Sequence, residues 1–499
     1  MFPKPRTDLV ANTADFERLP YIKPTGFREY DARWLFGDEI NLMGMQAMGM
    51  GIATLMRQRG VPVRIVTGHD YRSYSSQIKE ALIVGLLAGG AEVFDIGLAV
   101  TPMAYFSQFE LNVEGVAMVT ASHNDNGWTG IKMGMARPLT FGPDEMSALK
   151  EIVLGGKAEP AEGGRYHFVP DIAERYMADL TRRAKLSRKL KVICACGNGT
   201  AGAFAPQVLE AIGCEVVRLH CEPDYTFPHY NPNPEAMAML HSVADAVKQH
   251  GADVGLAFDG DGDRCGVSDN EGREIFADRV GVMLARDISS LHPNAKFVVD
   301  VKSTGLFLTD PVLLANKATT AYWKTGHSYI KRYSHETGAL VGFEKSGHFF
   351  FNPPLGRGYD DGLVSALAVL DMLDRNPGKS MAELERDLPK TWQSPTMSPH
   401  CGDEVKYGVV DRVIAHFKGI ADQGGTLAGQ KIRDVITVNG IRIVLEDGTW
   451  GLVRASSNKP ELVVVVESPT SEANMRAIFT EIDQHLATYP EIGEYNQKI

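Results

Sequence analysis

Short apolar runs that end in polar turns recur along the chain. Val63 to Val66 is followed by a turn that contains Gly68, and Val116 to Val119 is followed by Thr120-Ala121-Ser122-His123-Asn124. Runs of this length bounded by turn residues are typical of buried strands. Helical periodicity predicts one helix before the first of these strands, over about 38–59, and two between them, over 76–87 and from Thr101-Pro102 onwards. The alternation predicts a layered α/β domain with a mostly parallel sheet.

The same order of strand, polar turn and glycine returns twice further along the chain. Lys191 to Cys196 leads into Gly197, and Phe297 to Val301 leads into a turn that ends at Gly305. A strand from Val254 to Phe258 also runs directly into a polar loop. The three openings at Gly68, Gly197 and Gly305 predict one fold used three times.

The last part of the chain has a different pattern. Asn439-Gly440 and Asp447-Gly448 are turn signals that favour hairpins between antiparallel strands. The flanking elements are predicted as strands over 434–438, 441–445 and 462–467, followed by a helix over 471–486. The fold class is therefore α/β, with three related mixed-sheet domains and a C-terminal α+β domain. The predicted domains are 1–160, 161–268, 269–385 and 386–499.

Composition narrows the functional classes. A chain of 499 residues is too long for one ordinary core. A net charge of −11 disfavours nucleic acid or an anionic membrane as the main partner. The longest apolar run, Ala81 to Ala91, is too short to span a bilayer, and the first residues lack the form of a signal peptide. Six cysteines without a CxxC pair fit reduced thiols and a cytoplasmic location.

A short acidic loop follows the Val254 to Phe258 strand. Asp259, Asp261 and Asp263 alternate with glycines, and alternate side chains of an extended loop can point the same way. Three carboxylates so close together repel one another unless a cation lies among them, and their hard oxygens suit Mg²⁺. A calcium loop would need a longer ligand run that ends in a bidentate glutamate. A carboxylate that itself accepts a phosphoryl group, as in DxD phosphatases, is the other interpretation.

Three further stretches carry groups suited to sugar-phosphate chemistry. Ser122 follows a buried strand, so its hydroxyl is expected at a loop mouth, where we interpret it as carrying a phosphoryl group. The loop from Gly342 to His348 offers Glu344 and Ser346 to clamp vicinal sugar hydroxyls, and His348 to move a proton near neutral pH. The segment from Arg454 to Asn458 offers a guanidinium and short donors for a phosphate.

Together these motifs resemble the α-D-phosphohexomutase family, of the phosphomannomutase/phosphoglucomutase type, over nearly the whole chain. The resemblance implies that Ser122 is phosphorylated in the resting enzyme. The implied Mg²⁺ ligands are Ser122, Asp259, Asp261 and Asp263. The implied catalytic residues are Ser122, Lys132, His348 and Arg33, with Lys132 and His348 as the candidates for acid/base work. The implied substrate contacts are Tyr30, Arg264, Lys302, His327, Glu344, Ser346, Arg454, Ser456, Ser457 and Asn458.

Some positions depart from the family pattern. Phe343 precedes the glutamate of the sugar loop where glycine is usual, and Asp125 replaces a common proline. Ser457-Asn458 stands where Asn-Thr is usual. These departures leave the sugar preference open. We also expect His123 to orient the serine loop, with its side chain diverging from that of its neighbour Ser122.

The resemblance implies four domains around a central cleft. It implies interconversion of hexose 6-phosphate and hexose 1-phosphate, of mannose, glucose or both, through a phosphoserine and a hexose 1,6-bisphosphate that also serves as activator. Phosphoglucosamine mutase is the alternative within the family. A sugar-phosphate phosphatase and a non-catalytic sugar-phosphate sensor are the alternatives outside it. Hexose phosphates are the expected partners, with a monomer or small homo-oligomer as the expected state.

Overall fold

A computed structural model describes residues 3–183, 186–457 and 459–499, apart from the side chain of Arg183. The chain divides into two compact units. The first is Met1–Ala277 with Ser346–Ala382, and the second is Asp278–Lys345 with Glu383–Ile499. Among the residues described, no helix combines the length and the apolar character needed to cross a membrane.

The first unit begins with a six-stranded sheet. Arg64–His69 lies inside this sheet and runs parallel to both of its neighbours. In spatial order the strands are Ala32–Leu35, Trp128–Gly134, Gly115–Val119, Arg64–His69, Glu92–Leu98 and Arg165–Phe168. The last of these was not predicted, because it has only four residues, all exposed, and directly follows the glycine-rich segment 155–164.

Helices cover this sheet, and the longest is Leu42–Gln58. It starts four residues later than predicted because the side chain of Asn41 accepts a hydrogen bond from the Gly44 N–H at 2.8 Å and caps it. Its methionines are core residues, as expected from their spacing. The other helices of this region are Ala14–Arg18, Ser75–Ala88, Thr101–Glu110 and Pro143–Leu154, with a 3₁₀ turn over Pro24–Gly26.

A second, five-stranded sheet completes the layered part of the first unit. Its strands in order are Glu274–Ile275, Cys265–Ser268, Val254–Phe258, Lys191–Ala195 and Glu215–Leu219. Lys191–Ala195 is again parallel to both neighbours. The helices are Ile172–Arg183, Ala205–Ala211, Met237–His250 and Gly362–Arg375, with a 3₁₀ turn over Thr200–Ala203 and a short strand over Phe349–Phe351.

The second unit opens with a third arrangement of parallel strands. Lys296–Asp300 lies between Thr319–Trp323 and Val341–Phe343 and is parallel to both. Its helices are Ala277–Leu291, Leu306–Thr309, Pro311–Ala315 and His327–Thr337. The three strands Arg64–His69, Lys191–Ala195 and Lys296–Asp300 thus occupy equivalent positions. Each is flanked by two parallel strands that follow it in sequence. This confirms the predicted threefold repeat.

The three glycines that marked the repeat have different structural roles. Gly68 lies inside Arg64–His69 rather than after it. Gly197 has a left-handed φ of 51°, whereas Gly305 has an ordinary φ of −64°. The shared feature is therefore the strand order and not a shared glycine turn.

The C-terminal part of the second unit has the predicted antiparallel sheet. Its strands in order are Trp392–Gln393, Leu462–Ser468, Trp450–Ala455, Ile441–Leu445, Gln430–Ile436 and Thr426–Leu427. Gln430–Ile436 begins earlier than predicted because its polar first residues pair with Thr426–Leu427. A separate pair joins Pro399–Cys401 to Ile492–Tyr495, and the helices are Met381–Arg386, Lys406–Asp422 and Glu472–Leu486. The domain limits at 160, 268 and 385 stay predictions.

Candidate active site

Ser122 lies just beyond the buried strand Gly115–Val119, as predicted. Its φ of 53° is left-handed, which is uncommon for a residue with a side chain. The Thr120 hydroxyl accepts a hydrogen bond from the Ser122 N–H at 2.9 Å. Ser122 is only 3% exposed. The serine turn is therefore a rare backbone conformation held by a side chain of the same motif, and such conformations cluster at functional sites.

A neighbouring loop holds the serine turn in place. Asp70 follows the parallel strand Arg64–His69, and its carboxylate accepts hydrogen bonds from the Ala121 N–H at 3.2 Å and the Ser75 hydroxyl at 2.5 Å. Arg72 pairs with Asp70 and donates to the Ser122 carbonyl at 3.1 Å. Sequence reasoning missed both residues. Their signal was their place after a strand, since the carboxyl ends of parallel strands share one sheet edge.

His123 is not placed as expected. Its Nδ1 lies 3.2 Å from the Ser122 Oγ, so the two side chains approach each other instead of diverging. The expectation assumed the side-chain alternation of an extended chain. The left-handed backbone at Ser122 removes that alternation.

The acidic loop supplies three fully buried carboxylates. Asp259, Asp261 and Asp263 are each 0% exposed, and one oxygen from each lies within 4.8 Å of the others. The Asp259 carboxylate accepts from the Arg264 Nε at 2.9 Å. The Asp261 carboxylate accepts from the Thr101 hydroxyl at 2.5 Å. The structure thus brings the three predicted ligands together at one point.

Lys132 reaches this cluster from the strand Trp128–Gly134. Its Nζ lies 2.8 Å from Asp261 Oδ2 and also pairs with Asp263. Burial lowers the pKa of Lys132, but the two carboxylates outweigh burial and raise it. Burial raises the pKa of Asp261, yet the charge and hydrogen bond of Lys132 hold it well below its usual range. Burial and the charge of Asp261 raise the pKa of Asp263 to about 7.

The hydrogen bonding of the acidic cluster fits a hard divalent cation. Asp261 Oδ1 and Asp263 Oδ1 are buried, and within the described chain neither accepts a hydrogen bond. Buried polar atoms are normally satisfied, so two orphaned carboxylate oxygens side by side indicate an oxygen-ligated cation. The Lys132 ammonium supplies part of the positive charge that such an ion would provide.

The two predicted arginines of the first unit support the serine turn and the acidic loop, respectively. Arg33 donates to Asp31 at 2.9 Å and to the Asn124 Oδ1 at 2.9 Å, and so bridges the strand Ala32–Leu35 to the serine turn. Arg264 is 1% exposed, and its contact with Asp259 supports a carboxylate of the acidic cluster. Tyr30 is buried at 4% exposure beside this strand.

His348 lies beside the acidic cluster. Its Nδ1 is 3.0 Å from Asp360 Oδ2 and 3.7 Å from Asp263 Oδ1. Asp360 is fully buried and was missed by sequence reasoning, because the pair Asp360-Asp361 directly before a helix is also typical of an N-cap. Ser346 belongs to the same unit, and its carbonyl accepts from the Arg264 Nη1 at 3.5 Å.

The second unit holds the predicted sugar and third-domain residues. Glu344 is 1% exposed and accepts a hydrogen bond from the Gly326 N–H, next to His327. Lys302 Nζ lies 4.0 Å from Asp300 Oδ2. Within this unit, Glu344, Lys302 and His327 are all buried to at least nine-tenths.

The predicted phosphate loop also lies in the second unit. Arg454 is the last residue but one of the strand Trp450–Ala455 and is 4% exposed, and its Nη1 donates to the Ala455 carbonyl at 2.5 Å. The Ser456 hydroxyl accepts from the Lys459 N–H at 3.3 Å, and Ser457 is 9% exposed. Asn458 lies outside the described residues.

Four domain models of one family match the chain in order. Each is described as phosphoglucomutase/phosphomannomutase. The α/β/α domains I, II and III match residues 24–159, 174–272 and 276–392, and the C-terminal domain matches 407–485.

Characterised relatives are similar over most of their length. A phosphomannomutase/phosphoglucomutase of Pseudomonas putida is 35% identical over 91% of this chain and 93% of the relative. A phosphoglucomutase of Neisseria meningitidis serogroup A is 33% identical over 90% of this chain and 94% of its own. A phosphomannomutase of Salmonella montevideo is 31% identical over 91% of this chain and 98% of its own.

Solved structures have the same fold. A phosphoglucomutase/phosphomannomutase family protein of Burkholderia thailandensis has a TM-score of 0.83 at 29% identity, over 95% of this chain and 99% of that chain. The open form of parafusin, a phosphoglucomutase of Paramecium, has a TM-score of 0.67 at 16% identity, over 99% of this chain and 100% of that chain. At that identity the second likeness shows the fold alone.

Proposed function

Because the chain belongs to the phosphoglucomutase/phosphomannomutase family, we propose that it is an isomerase that interconverts hexose 6-phosphates and hexose 1-phosphates. Ser122 is proposed as the residue that carries the transferred phosphoryl group. One observation supports this assignment above the rest. The turn that bears Ser122 packs against the acidic loop in which Asp261 and Asp263 keep unsatisfied oxygens.

The metal fits the same loop. Asp259, Asp261 and Asp263, with an oxygen of phosphorylated Ser122, would hold Mg²⁺, which when bound polarises a phosphoryl group and offsets its charge. Lys132 keeps its proton beside two carboxylates, so it is suited to stabilise negative charge or to give a proton to a leaving oxygen. Arg33 and Arg72 hold the backbone and side chains of the serine turn.

His348 is the proposed general base. The Asp360 carboxylate lies at an ion-pair distance of 3.0 Å from its Nδ1, which favours a proton on that nitrogen and leaves Nε2 to accept one. Transfer forms a bond from the substrate hydroxyl oxygen to phosphorus and breaks the bond from phosphorus to the Ser122 Oγ. The hydroxyl proton passes to His348. The product of this step is a hexose 1,6-bisphosphate, and return of its other phosphate to Ser122 completes the isomerisation.

The remaining predicted residues are the proposed binding groups. Arg454, Ser456, Ser457 and Asn458 are proposed to bind the phosphate that is not being transferred. Glu344 and Ser346 are proposed to bind sugar hydroxyls, with Lys302, His327, Tyr30 and Arg264 as further contacts. Phosphoryl transfer depends mainly on such positioning and charge stabilisation.

Several finer properties belong to the same proposal. A hexose 1,6-bisphosphate is the proposed activator, because it can phosphorylate a resting serine. A cytoplasmic location agrees with six free thiols. The preference between mannose and glucose, and the state as a monomer or small homo-oligomer, stay predictions.

The decisive experiment compares wild type with Ser122→Ala. Both proteins are incubated with glucose 1,6-bisphosphate and Mg²⁺, and the intact mass is measured together with turnover of glucose 1-phosphate. Wild type should gain one phosphate on Ser122, and Ser122→Ala should lose both the phosphate and the turnover. Near-normal turnover of Ser122→Ala would falsify the phosphoserine assignment.

A matched control and a substrate panel complete this test. Ser290→Ala removes an exposed hydroxyl that donates to the Arg286 carbonyl and accepts from the Asn316 side chain, and it should behave like wild type. Mannose 1-phosphate, glucose 1-phosphate and glucosamine 1-phosphate are compared under the same conditions. Steady release of inorganic phosphate instead of isomer would favour a phosphatase.

A further inference from the structure

Three cysteine thiols converge beside the second sheet, and the proposed reaction uses none of them. Cys194 is on the strand Lys191–Ala195, Cys196 lies just after it, and Cys221 follows the strand Glu215–Leu219. The Sγ–Sγ separations are 3.9 Å for Cys194–Cys196, 4.0 Å for Cys194–Cys221 and 3.6 Å for Cys196–Cys221. Sequence reasoning missed this cluster, because its members are not paired as CxxC and Cys221 is distant in the chain from the other two.

The near-equal spacing suits one central ligand better than a disulfide. Three sulfur atoms with these separations each lie about 2.2 Å from their common centre, close to the Zn–S bond length of about 2.3 Å. A disulfide needs two sulfur atoms about 2.05 Å apart, so even the closest pair would have to move by more than about 1 Å. Such a bond would also leave the third thiol without a role.

We propose that Cys194, Cys196 and Cys221 form a binding site for one thiophilic divalent cation of the Zn²⁺ type. The three sulfur atoms bind the ion as thiolates. Cys194 and Cys196 are 0% exposed and Cys221 is 6% exposed, so the fourth position opens on the Cys221 side, where water can occupy it.

Charge and proton balance favour a divalent ion. Binding replaces three S–H bonds by three sulfur–metal bonds and releases three protons to solvent, which leaves one net negative charge at the site. A monovalent ion would leave two negative charges in a buried place, at a higher desolvation cost.

The segment from Cys196 to Thr200 links the cysteine site to the acidic loop through backbone hydrogen bonds. The Cys196 carbonyl accepts from the Gly199 N–H at 2.8 Å, and the Thr200 N–H donates to the Gly260 carbonyl at 3.0 Å. Gly260 lies between Asp259 and Asp261. A cation that fixes Cys196 therefore fixes the turn against which the Mg²⁺ loop packs, and the site is structural in function.

The test uses the full chain, stripped of metal under reducing conditions. Cd²⁺ is added as a probe, because cadmium thiolates have a charge-transfer absorption in the ultraviolet that oxygen ligands do not give. Wild type should show this absorption, saturate at one ion per chain and lose the cadmium band when Zn²⁺ competes. Its thermal midpoint should rise with Zn²⁺, because the ion binds the folded state.

The matched variants separate this site from other thiols. Cys196→Ser keeps the size of the side chain and should lose most of the absorption and the Zn²⁺-dependent thermal shift. Cys214→Ser removes a buried thiol of the same region that lies outside the cluster, and it should keep both. Equal absorption in Cys196→Ser, or none in wild type, would overturn the proposal.

A measurement on wild type alone guards against a variant that fails to fold. X-ray absorption of the Zn²⁺-loaded protein in the presence of excess Mg²⁺ should count three sulfur ligands. A shell of oxygen and nitrogen without sulfur would place the ion at the carboxylates instead and would also overturn the proposal. Neither result changes the assignment of Ser122, which the phosphorylation experiment tests separately.

Discussion

A Cβ built on Gly260 would stand 2.5 Å from the carbonyl oxygen of Ser122. Real Cβ atoms essentially never approach a backbone atom so closely, so the two loops can meet only if residue 260 is glycine. Gly260 separates two carboxylates of the metal cluster, Asp259 and Asp261. The absence of one side chain thus lets the acidic loop lie directly against the serine turn.

Gly260→Ala should therefore reduce turnover strongly while leaving the protein folded. The added methyl group pushes the acidic loop from Ser122, and a displacement of about 1 Å can cost on the order of a hundredfold in rate. Overpacking of this kind should lower the free energy of unfolding by about 1–3 kcal/mol. Steady-state rates over a Mg²⁺ titration, with denaturant unfolding in parallel, measure both effects.

Gly419→Ala is the matched control for that variant. Gly419 lies in the helix Lys406–Asp422, and a Cβ there meets nothing within 4 Å. Alanine should stabilise this helix by up to about 1 kcal/mol and leave turnover unchanged. If Gly260→Ala kept wild-type turnover and Mg²⁺ dependence, the close approach would have no functional consequence.

Thr101→Val should weaken Mg²⁺ binding without removing a ligand. The Thr101 hydroxyl donates to Asp261 Oδ2 at 2.5 Å, and a hydrogen bond to a charged group contributes about 1.5–3 kcal/mol. We expect the Mg²⁺ concentration for half-maximal activity to rise by roughly tenfold or more, with kcat at saturating Mg²⁺ changed less. Activity assays over a Mg²⁺ series measure the shift.

Thr320→Val controls for the loss of a threonine hydroxyl. The Thr320 Oγ1 is buried, and within the described chain it has no hydrogen-bond partner. This variant should keep the wild-type Mg²⁺ dependence. Equal Mg²⁺ curves for Thr101→Val and wild type would show that Thr101 does not support Asp261.

Asp360→Asn should lower kcat more than it changes the KM for sugar phosphates. Asparagine keeps the size and polarity of the side chain beside His348 Nδ1, but it lacks the charge that stabilises a protonated imidazole. We expect a loss of kcat of about 10²-fold, within the usual range for acid–base catalysis. Steady-state kinetics in both directions measure the split between kcat and KM.

Asp361, the next residue in the chain, provides the matched comparison for Asp360. Asp361 caps the helix Gly362–Arg375 with one carboxylate oxygen, and its other oxygen accepts from the Tyr176 hydroxyl at 2.8 Å. Asp361→Asn should affect stability more than kcat. Similar kinetic losses in both variants would mean that Asp360 acts on folding and does not position His348.

The local pattern of the chain was sufficient to predict the fold class and the clustering of Asp259, Asp261 and Asp263. Buried strands and helices were recognised because the period of the apolar residues shows which face of each element packs against the core. Asp259, Asp261 and Asp263 were recognised because carboxylates so close together repel one another unless a cation lies among them. The edge strand Arg165–Phe168 was missed because it has only four residues and directly follows the glycine-rich segment 155–164, which was interpreted as a domain boundary.

Residues that support the site through tertiary contacts could not be predicted. Thr101 was recognised only as a helix start, although its hydroxyl bonds a carboxylate 160 residues away. Asp70 and Asp360 are single acids whose partners are set by the packing of separate elements. His123 was misplaced because the left-handed backbone at Ser122 breaks the side-chain alternation assumed for an extended loop.

Two stacked histidines give the C-terminal domain a pH dependence. The rings of His416 and His485 are 3.7 Å apart with an interplanar angle of 10°, and His485 Nε2 lies 3.0 Å from the Tyr489 hydroxyl. Burial and the charge of His416 lower the pKa of His485 to about 4. In the unfolded chain its pKa is about 6.5.

The stability that this pair supports should be lost as the pH falls from about 6.5 to about 4, because in this window the unfolded chain binds a proton that the folded domain does not. His416→Gln removes the neighbouring charge, so the pKa of His485 should rise and the acid-induced loss should shrink. Hydrogen exchange of the helix Glu472–Leu486 at about pH 7 and about pH 5 reports the local stability. Exchange protection should fall less between these pH values in His416→Gln than in wild type. An equal or larger fall in the variant would show that His416 does not set the protonation of His485.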